Sequence, residues 1–146
     1  MGAGFIVLET RVFGLPIAQG RPRAFKTRAG QVRVYDPANA RDWKRTVQAQ
    51  VLTQKPSQPV DGPLKMTLQF ILPRPRSLPK RDLFPERRPD LSNMLKAIED
   101  ALNGVVFRDD SQIVRMELAK DYGPAPGVVI RVERVVAPER QPELSS

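Results

Sequence analysis

The chain has 146 residues, 40% of them hydrophobic, which suits one small domain with a modest core. It contains no cysteine and no histidine, which excludes disulfide frameworks, thiolate or imidazole zinc sites, Cys or Ser–His nucleophile systems and imidazole general bases. A net charge of +8, with arginine outnumbering lysine by more than two to one, points to a polyanionic partner met by bidentate phosphate contacts.

In chain order, Phe5 to Phe13 is rich in Ile, Val and Phe and predicts an opening strand. Gly14 to Arg33 then scatters Arg21, Arg23, Lys26, Arg28 and Arg33 among glycines and prolines, with Phe25 between the charges. This reads as a basic loop able to follow a phosphate backbone and stack an aromatic on a base, with a solvated hairpin as the simpler reading. Trp43, Val47 and Val51 recur every fourth residue and predict an amphipathic helix over 38–54, with Asn39 as a candidate cap and Trp43 as a core anchor. After a Pro-rich connector over 55–63, Leu64, Met66, Leu68 and Phe70 alternate with Lys65, Thr67 and Gln69, the pattern of a half-buried strand over 64–72. A second basic loop, 73–89, holds Arg74, Arg76, Lys80, Arg81, Arg87 and Arg88 among prolines that forbid a regular helix.

That loop runs into the most informative stretch. Arg87-Arg88-Pro89-Asp90-Leu91-Ser92-Asn93-Met94-Leu95-Lys96 is followed by Glu99-Asp100 and, after a Gly turn, by Arg108-Asp109-Asp110-Ser111-Gln112. On a helix at 100° per residue, Leu91, Leu95, Ile98 and Leu102 form a core stripe. Ser92, Lys96, Glu99 and Asn103 line an adjacent face with Asp100 on its flank. Lys96 with Asp100 at i+4 is ordinary helix-surface stabilisation, but it accounts neither for Asp90 upstream nor for Asp109 and Asp110 downstream. Asn103-Gly104 reads as the helix end, and Val105 to Phe107 as a short apolar run. Ile113 to Lys120 and Val128 to Val136 read as a hairpin joined through Tyr122-Gly123-Pro124. Residues 137–146 read as a polar tail beyond a domain over 1–136.

A hard divalent ion such as Mg²⁺ prefers carboxylate and water oxygens and is commonly held by one or two side chains plus substrate phosphate; Asp90 and Asp110 would suffice. Between basic loops the natural substrate oxygen is a phosphodiester, so the residues by themselves point to a metal-dependent nuclease. No run of about twenty apolar residues is present and the start lacks a charged segment before its apolar stretch, so neither a membrane span nor a signal peptide is expected.

The run from Arg88 to Lys96, then Glu99-Asp100-Ala101-Leu102-Asn103-Gly104 and Asp109-Asp110-Ser111-Gln112-Ile113, closely resembles the RusA family of Holliday junction resolvases of bacteria and their prophages. The resemblance extends more loosely over most of the chain, excluding the tail. It implies a single small α+β domain with a mixed β-sheet and two main helices. It further implies a homodimer that nicks opposed strands of branched, four-way DNA with Mg²⁺, or Mn²⁺ in its place, and the expected lack of a span or signal peptide puts it in the cytoplasm. By motif position, Asp90 and Asp110 match two catalytic aspartates and Lys96 the essential lysine. The DNA-binding set expected on that footing is Arg21, Arg23, Lys26, Arg74, Arg76, Arg81 and Arg88.

The family pattern reads Asp-x-Asp-Asn where this chain has Asp90-Leu91-Ser92-Asn93, so one expected metal ligand is a hydroxyl. Glu99 and Asp109 are the candidate replacements, giving Asp90, Asp109, Asp110 and Glu99 as the expected metal set, although Glu99 lies two turns, about 10.5 Å of rise, from Ser92. The leading alternative is a descendant that binds junctions without cutting them. A nuclease signature built on Glu117-Leu118-Ala119-Lys120 has one residue too many between its acid and its lysine, and an RNA-associated basic protein would leave the clustered carboxylates without a purpose.

Overall fold

The computed structural model describes residues 5–18, 23–26, 29–30, 32–35 and 38–136. The 137–146 tail and Arg21 lie outside the described residues. The element order is β1 (Ile6–Phe13), β2 (Arg23–Lys26), β3 (Val32–Tyr35), α1 (Ala38–Val51), β4 (Leu64–Leu72), α2 (Leu91–Leu102), a 3-10 turn (Asp110–Gln112), β5 (Ile113–Tyr122) and β6 (Gly127–Arg134). The chain is therefore an α+β domain with a four-stranded mixed sheet, ordered β1-β6-β4-β5, and two helices.

β4 is the central strand, antiparallel to β6 and parallel to β5. Its alternation sets the layers: Leu64, Met66, Leu68 and Phe70 are fully buried with Val128, Ile130 and Val132 of β6 and with the helices. The opposite sheet face is polar, with Lys65 3.4 Å from Glu117 and Arg131 3.3 Å from Glu9. One face packed and one face wet is the usual reason for period-two patterning.

Four expectations are corrected. The loop reading of 14–33 gives way to the alternative hairpin reading over 23–35, because β2 and β3 pair antiparallel across a turn that includes Gly30 at φ 81°. Phe25 and the Val32–Tyr35 run are strand formers, and a left-handed glycine closes the turn between them. Helix α1 ends at Val51, with residues 52–54 turned, and begins at Ala38, which puts Asn39 inside its first turn instead of at its cap.

The third correction concerns β5 and β6, which are not a hairpin: both pair with β4, one on each side. The connection over 123–126 passes the end of β4, where the Gly123 N–H donates to Leu72 O at 3.0 Å and the Gly14 N–H to Pro126 O at 3.1 Å. Alternation reports which face of a strand is buried, not which strand lies beside it. A parallel β4–β5 pair needs a long crossover, and α2 supplies it.

Fourth, the core stripe of α2 is rotated. Met94, Ala97, Ile98, Ala101 and Leu102 are the buried residues, while Leu91 and Leu95 sit half-buried at its margin. Ala97 and Ala101 carry little side chain and let α2 lie close to α1, where Gln48 Nε2 donates to Ala101 O at 3.2 Å.

Gly127 is required by close approach. A Cβ there would stand 2.2 Å from the Val12 carbonyl oxygen of the paired strand. Gly127→Ala is expected to destabilise the fold by about 1–3 kcal/mol, as overpacking does, seen as a lower thermal midpoint by circular dichroism.

Candidate active site

Helix α2 carries most of the site. Asp90 is its N-cap, with extended backbone, and its exposed carboxylate makes no capping hydrogen bond. An N-cap aspartate ordinarily accepts from the second or third helical N–H, so this one is left for another partner. Ser92 and Lys96 are exposed on the following turns, and the first turn of α2 holds no acidic residue.

Two turns further on, Glu99 is half-buried and its carboxyl pKa is raised above the ordinary value. Burial is the largest cause, followed by the negative charges of Asp110 and Asp100, with Lys96 opposing them. Glu99, Asp110, Asp100 and Lys96 therefore share one electrostatic neighbourhood. Asp110 arrives there from beyond the helix, at the start of the 3-10 turn.

That turn is firmly held. Asp109 Oδ2 accepts from the Ser111 N–H at 3.0 Å, and Gln112 Oε1 accepts from the N–H groups of Arg108 and Asp109 at 2.8 and 2.9 Å. Gln112 Nε2 in turn donates to Val60 O and Gly62 O at 2.9 and 3.0 Å. Asp109 is thus the cap of the turn, and its hydrogen bonds from Ser111 lower its pKa. This capping box ties the turn that carries Asp110 to the 60–62 segment just ahead of β4.

A residue the motif reading passed over joins the site from β5. Lys120 Nζ donates to the carbonyl oxygens of Arg87 at 2.9 Å and Pro89 at 3.0 Å, pinning the backbone immediately ahead of Asp90. Its signal in the sequence was a lysine in the same strand phase as the half-buried Leu118 and Tyr122. In register it stands opposite fully buried Phe70.

All donors at this site are hard oxygens. Among the described residues no three or more acidic side chains converge closely enough to enclose one ion. The set fits a cation such as Mg²⁺ held by one or two carboxylates, with water and phosphate completing its shell, and the mutual repulsion of Glu99 and Asp110 is what such a cation would relieve. Asn103, one turn beyond Glu99, adds a buried Oδ1 with no hydrogen-bond partner.

Residues 14–133, which include every one of these groups, match the family described as Endodeoxyribonuclease RusA. The chain belongs to the RusA family. It is also similar to the uncharacterized protein YqaN of Bacillus subtilis (strain 168), at 34% identity over 140 residues that cover 89% of this chain and 98% of the relative. RusA membership implies endodeoxyribonuclease action on Holliday junctions. No helix among the described residues is long and apolar enough to cross a membrane.

The basic residues of the 73–89 loop in this RusA-family chain divide into two kinds. Arg74 works within its own loop, donating to Asp82 O and Pro79 O at 2.6 Å each and lying 5.4 Å from the centre of the Tyr122 ring. Arg76, Arg81 and Arg88 are exposed and form no ion pair among the described residues, as do Lys80 and Arg87. Arg23 and Lys26 lie on β2, which places their backbone only.

The raised Glu99 pKa has a stability consequence in the metal-free protein. Between the ordinary glutamate value and the raised one, the native state binds more protons than the unfolded chain, so stability falls as pH rises through that window. Glu99→Gln is expected to flatten this slope in urea titrations performed in EDTA.

Proposed function

We propose that this chain is a metal-dependent, structure-specific endonuclease that resolves four-way DNA junctions by paired nicks as a homodimer. The observation that carries the reading is the shared neighbourhood of Glu99, Asp110 and Lys96 on and beside the helix whose N-cap carboxylate, Asp90, is unused by the fold. Asp90 and Asp110 would hold Mg²⁺ or Mn²⁺, with Glu99 supporting the Asp110 end. When bound, the ion neutralises charge developing on the phosphate and activates water.

The remaining work falls to the chain itself. Lys96 sets a cation against the non-bridging oxygens of the scissile phosphate, which carry more negative charge in the transition state than in the ground state. Lys120 and the Asp109–Gln112 capping box hold the two aspartates at fixed positions, so that the phosphate enters a preorganised site. The exposed Arg76, Arg81 and Arg88 bind strand backbones on approach. We place Glu99 at the Asp110 end of the site, since it lies two turns along α2 from Ser92 and Asp110 contributes to its raised pKa.

Homodimerisation is supported by symmetry, because a junction offers two equivalent strands and a two-fold axis places two sites accordingly. The edge strand β5 also leaves Val114 and Met116 exposed, an apolar edge that a second copy would cover. A stable monomer at micromolar concentration in sedimentation would argue against paired nicking.

The deciding experiment is cleavage of a labelled synthetic four-way junction beside a linear duplex of the same sequence, with Mg²⁺ or with EDTA. Paired nicks on the junction alone, lost in EDTA, support the reading. Ser92 favours a second one, a junction-binding protein that no longer cuts, because it removes a carboxylate from the first turn of α2. Under that reading wild type binds without nicking, and Ser92→Asp restores Mg²⁺-dependent cleavage by about 10²-fold or more, the scale of one electrostatic element of a catalytic site.

A further inference from the structure

A cavity of about 430 Å³ opens beside the proposed nuclease centre. Leu15 and Ile17, from the segment after β1, form one side, and Leu72 and Tyr122, from the ends of β4 and β5, form another. Prolines, Pro89 among them, complete a lining that is nearly all hydrocarbon, and among the described residues the only charged groups on it are Arg87 and Arg88. Pro89 is covalently joined to Asp90, so the cavity begins one residue from the carboxylate assigned to the metal. Neither it nor Tyr122 has a part in the mechanism above.

The size lies within the range of ligand pockets, roughly 300–1,000 Å³. The chemistry narrows the occupant. A wholly apolar ligand has no use for two exposed guanidinium groups that form no ion pair among the described residues, and a bare phosphate has no use for hydrocarbon walls and an aromatic ring. A nucleotide needs both: a flat heterocycle that gains by leaving water and packing on Tyr122, and a phosphate that pairs with Arg87 or Arg88. We propose that the cavity receives one unstacked base of the strand to be cut, a reading that rests on the junction-nuclease function and deepens it.

The proposal supplies a source of structural selectivity. Extracting a base from a continuous duplex costs a few kcal/mol of stacking and pairing, and the cost is least where the stack is already interrupted. A four-way junction interrupts its stacks at the crossover, so a site that must capture a base favours the crossover over linear DNA without reading sequence. Among the described residues the only side-chain hydrogen-bonding groups on the walls are the Tyr122 hydroxyl and the two guanidinium groups, too few to read a base edge, so the capture tolerates base identity. The backbone attached to the captured base then runs past Pro89 toward Asp90.

The test uses full-length protein carrying Asp110→Asn, to prevent cutting, and four-way junctions with 2-aminopurine at successive positions around the crossover. Base capture is expected to raise fluorescence severalfold at one position per cut strand and to leave a linear duplex unchanged. Leu15→Trp, at a site already 53% exposed, is expected to fill the cavity, abolish the rise and lower the ratio of junction to duplex affinity by about tenfold; Tyr122→Leu is expected to reduce both, by a route that does not add bulk.

A junction cleaved by the otherwise wild-type chain, with no fluorescence rise at any position, would overturn base capture and leave the nuclease reading intact. Absence of any preference for junction over duplex in the unsubstituted chain would overturn both. A shift of Leu15→Trp from dimer to monomer in sedimentation would mean that a second copy of the chain fills the cavity, which also overturns base capture.

Discussion

Asp110→Asn is expected to lower junction cleavage by at least about 10²–10³-fold, the scale of losing one charged element of a catalytic site, while junction binding in EDTA is kept or tightened. The reason is electrostatic. Asp110 contributes to the repulsion that raises the Glu99 pKa, so its neutralisation would remove both the proposed cation ligand and a negative charge that opposes DNA in the metal-free protein. The fold should be little affected, because the turn is held by the Asp109 and Gln112 side chains and not by Asp110. Single-turnover cleavage against Mg²⁺ concentration and filter binding in EDTA separate the two effects. A variant that cuts at the wild-type rate would remove Asp110 from the site.

The second large effect is expected at Lys120. Its ammonium group donates to two backbone carbonyls on either side of Arg88, and charge-assisted bonds of this kind contribute about 1.5–3 kcal/mol when measured by removal. Lys120→Met should release the backbone ahead of Asp90. A displacement of about 1 Å at a reacting group costs on the order of 10²-fold in rate, so cleavage should fall by about that factor with junction affinity nearly unchanged. Lys120→Arg should recover part of the rate, because a guanidinium can still donate to both carbonyls. A purely structural role would lower the thermal midpoint while the rate of the remaining folded protein stayed at wild type.

These two residues differ in how visible they were beforehand. Asp110 stood in a dense acidic motif whose composition contrasts with the basic chain around it, and local sequence sufficed to single it out. Lys120 stood in a strand pattern, where its meaning depends on what lies opposite. Its spacing from Glu117 argued against one nuclease signature, yet said nothing of the Arg87 and Pro89 carbonyls more than thirty residues earlier. Arg74 is the reverse case. Counted by charge it belonged with the DNA-binding arginines, but its donors serve Pro79, Asp82 and the Tyr122 ring.

The sequence by itself determined the elements whose signal is periodic and local. Strand β4 has the limits its alternation predicts, 64–72, and the helix after Asp90 ends at the Asn103-Gly104 pair, where Gly104 takes φ 75°. The absence of histidine and cysteine likewise confined any chemistry to carboxylates, lysine, hydroxyls or a hard metal ion. Only the tertiary structure decided that β4 lies between β5 and β6, that α2 turns Met94, Ala97 and Ala101 to the core, and that Asp110 comes near enough to Glu99 to help raise its pKa. Each of those depends on which distant segment supplies the opposing surface. Side-chain period specifies the face of an element, whereas its neighbour is chosen by the packing of the whole chain.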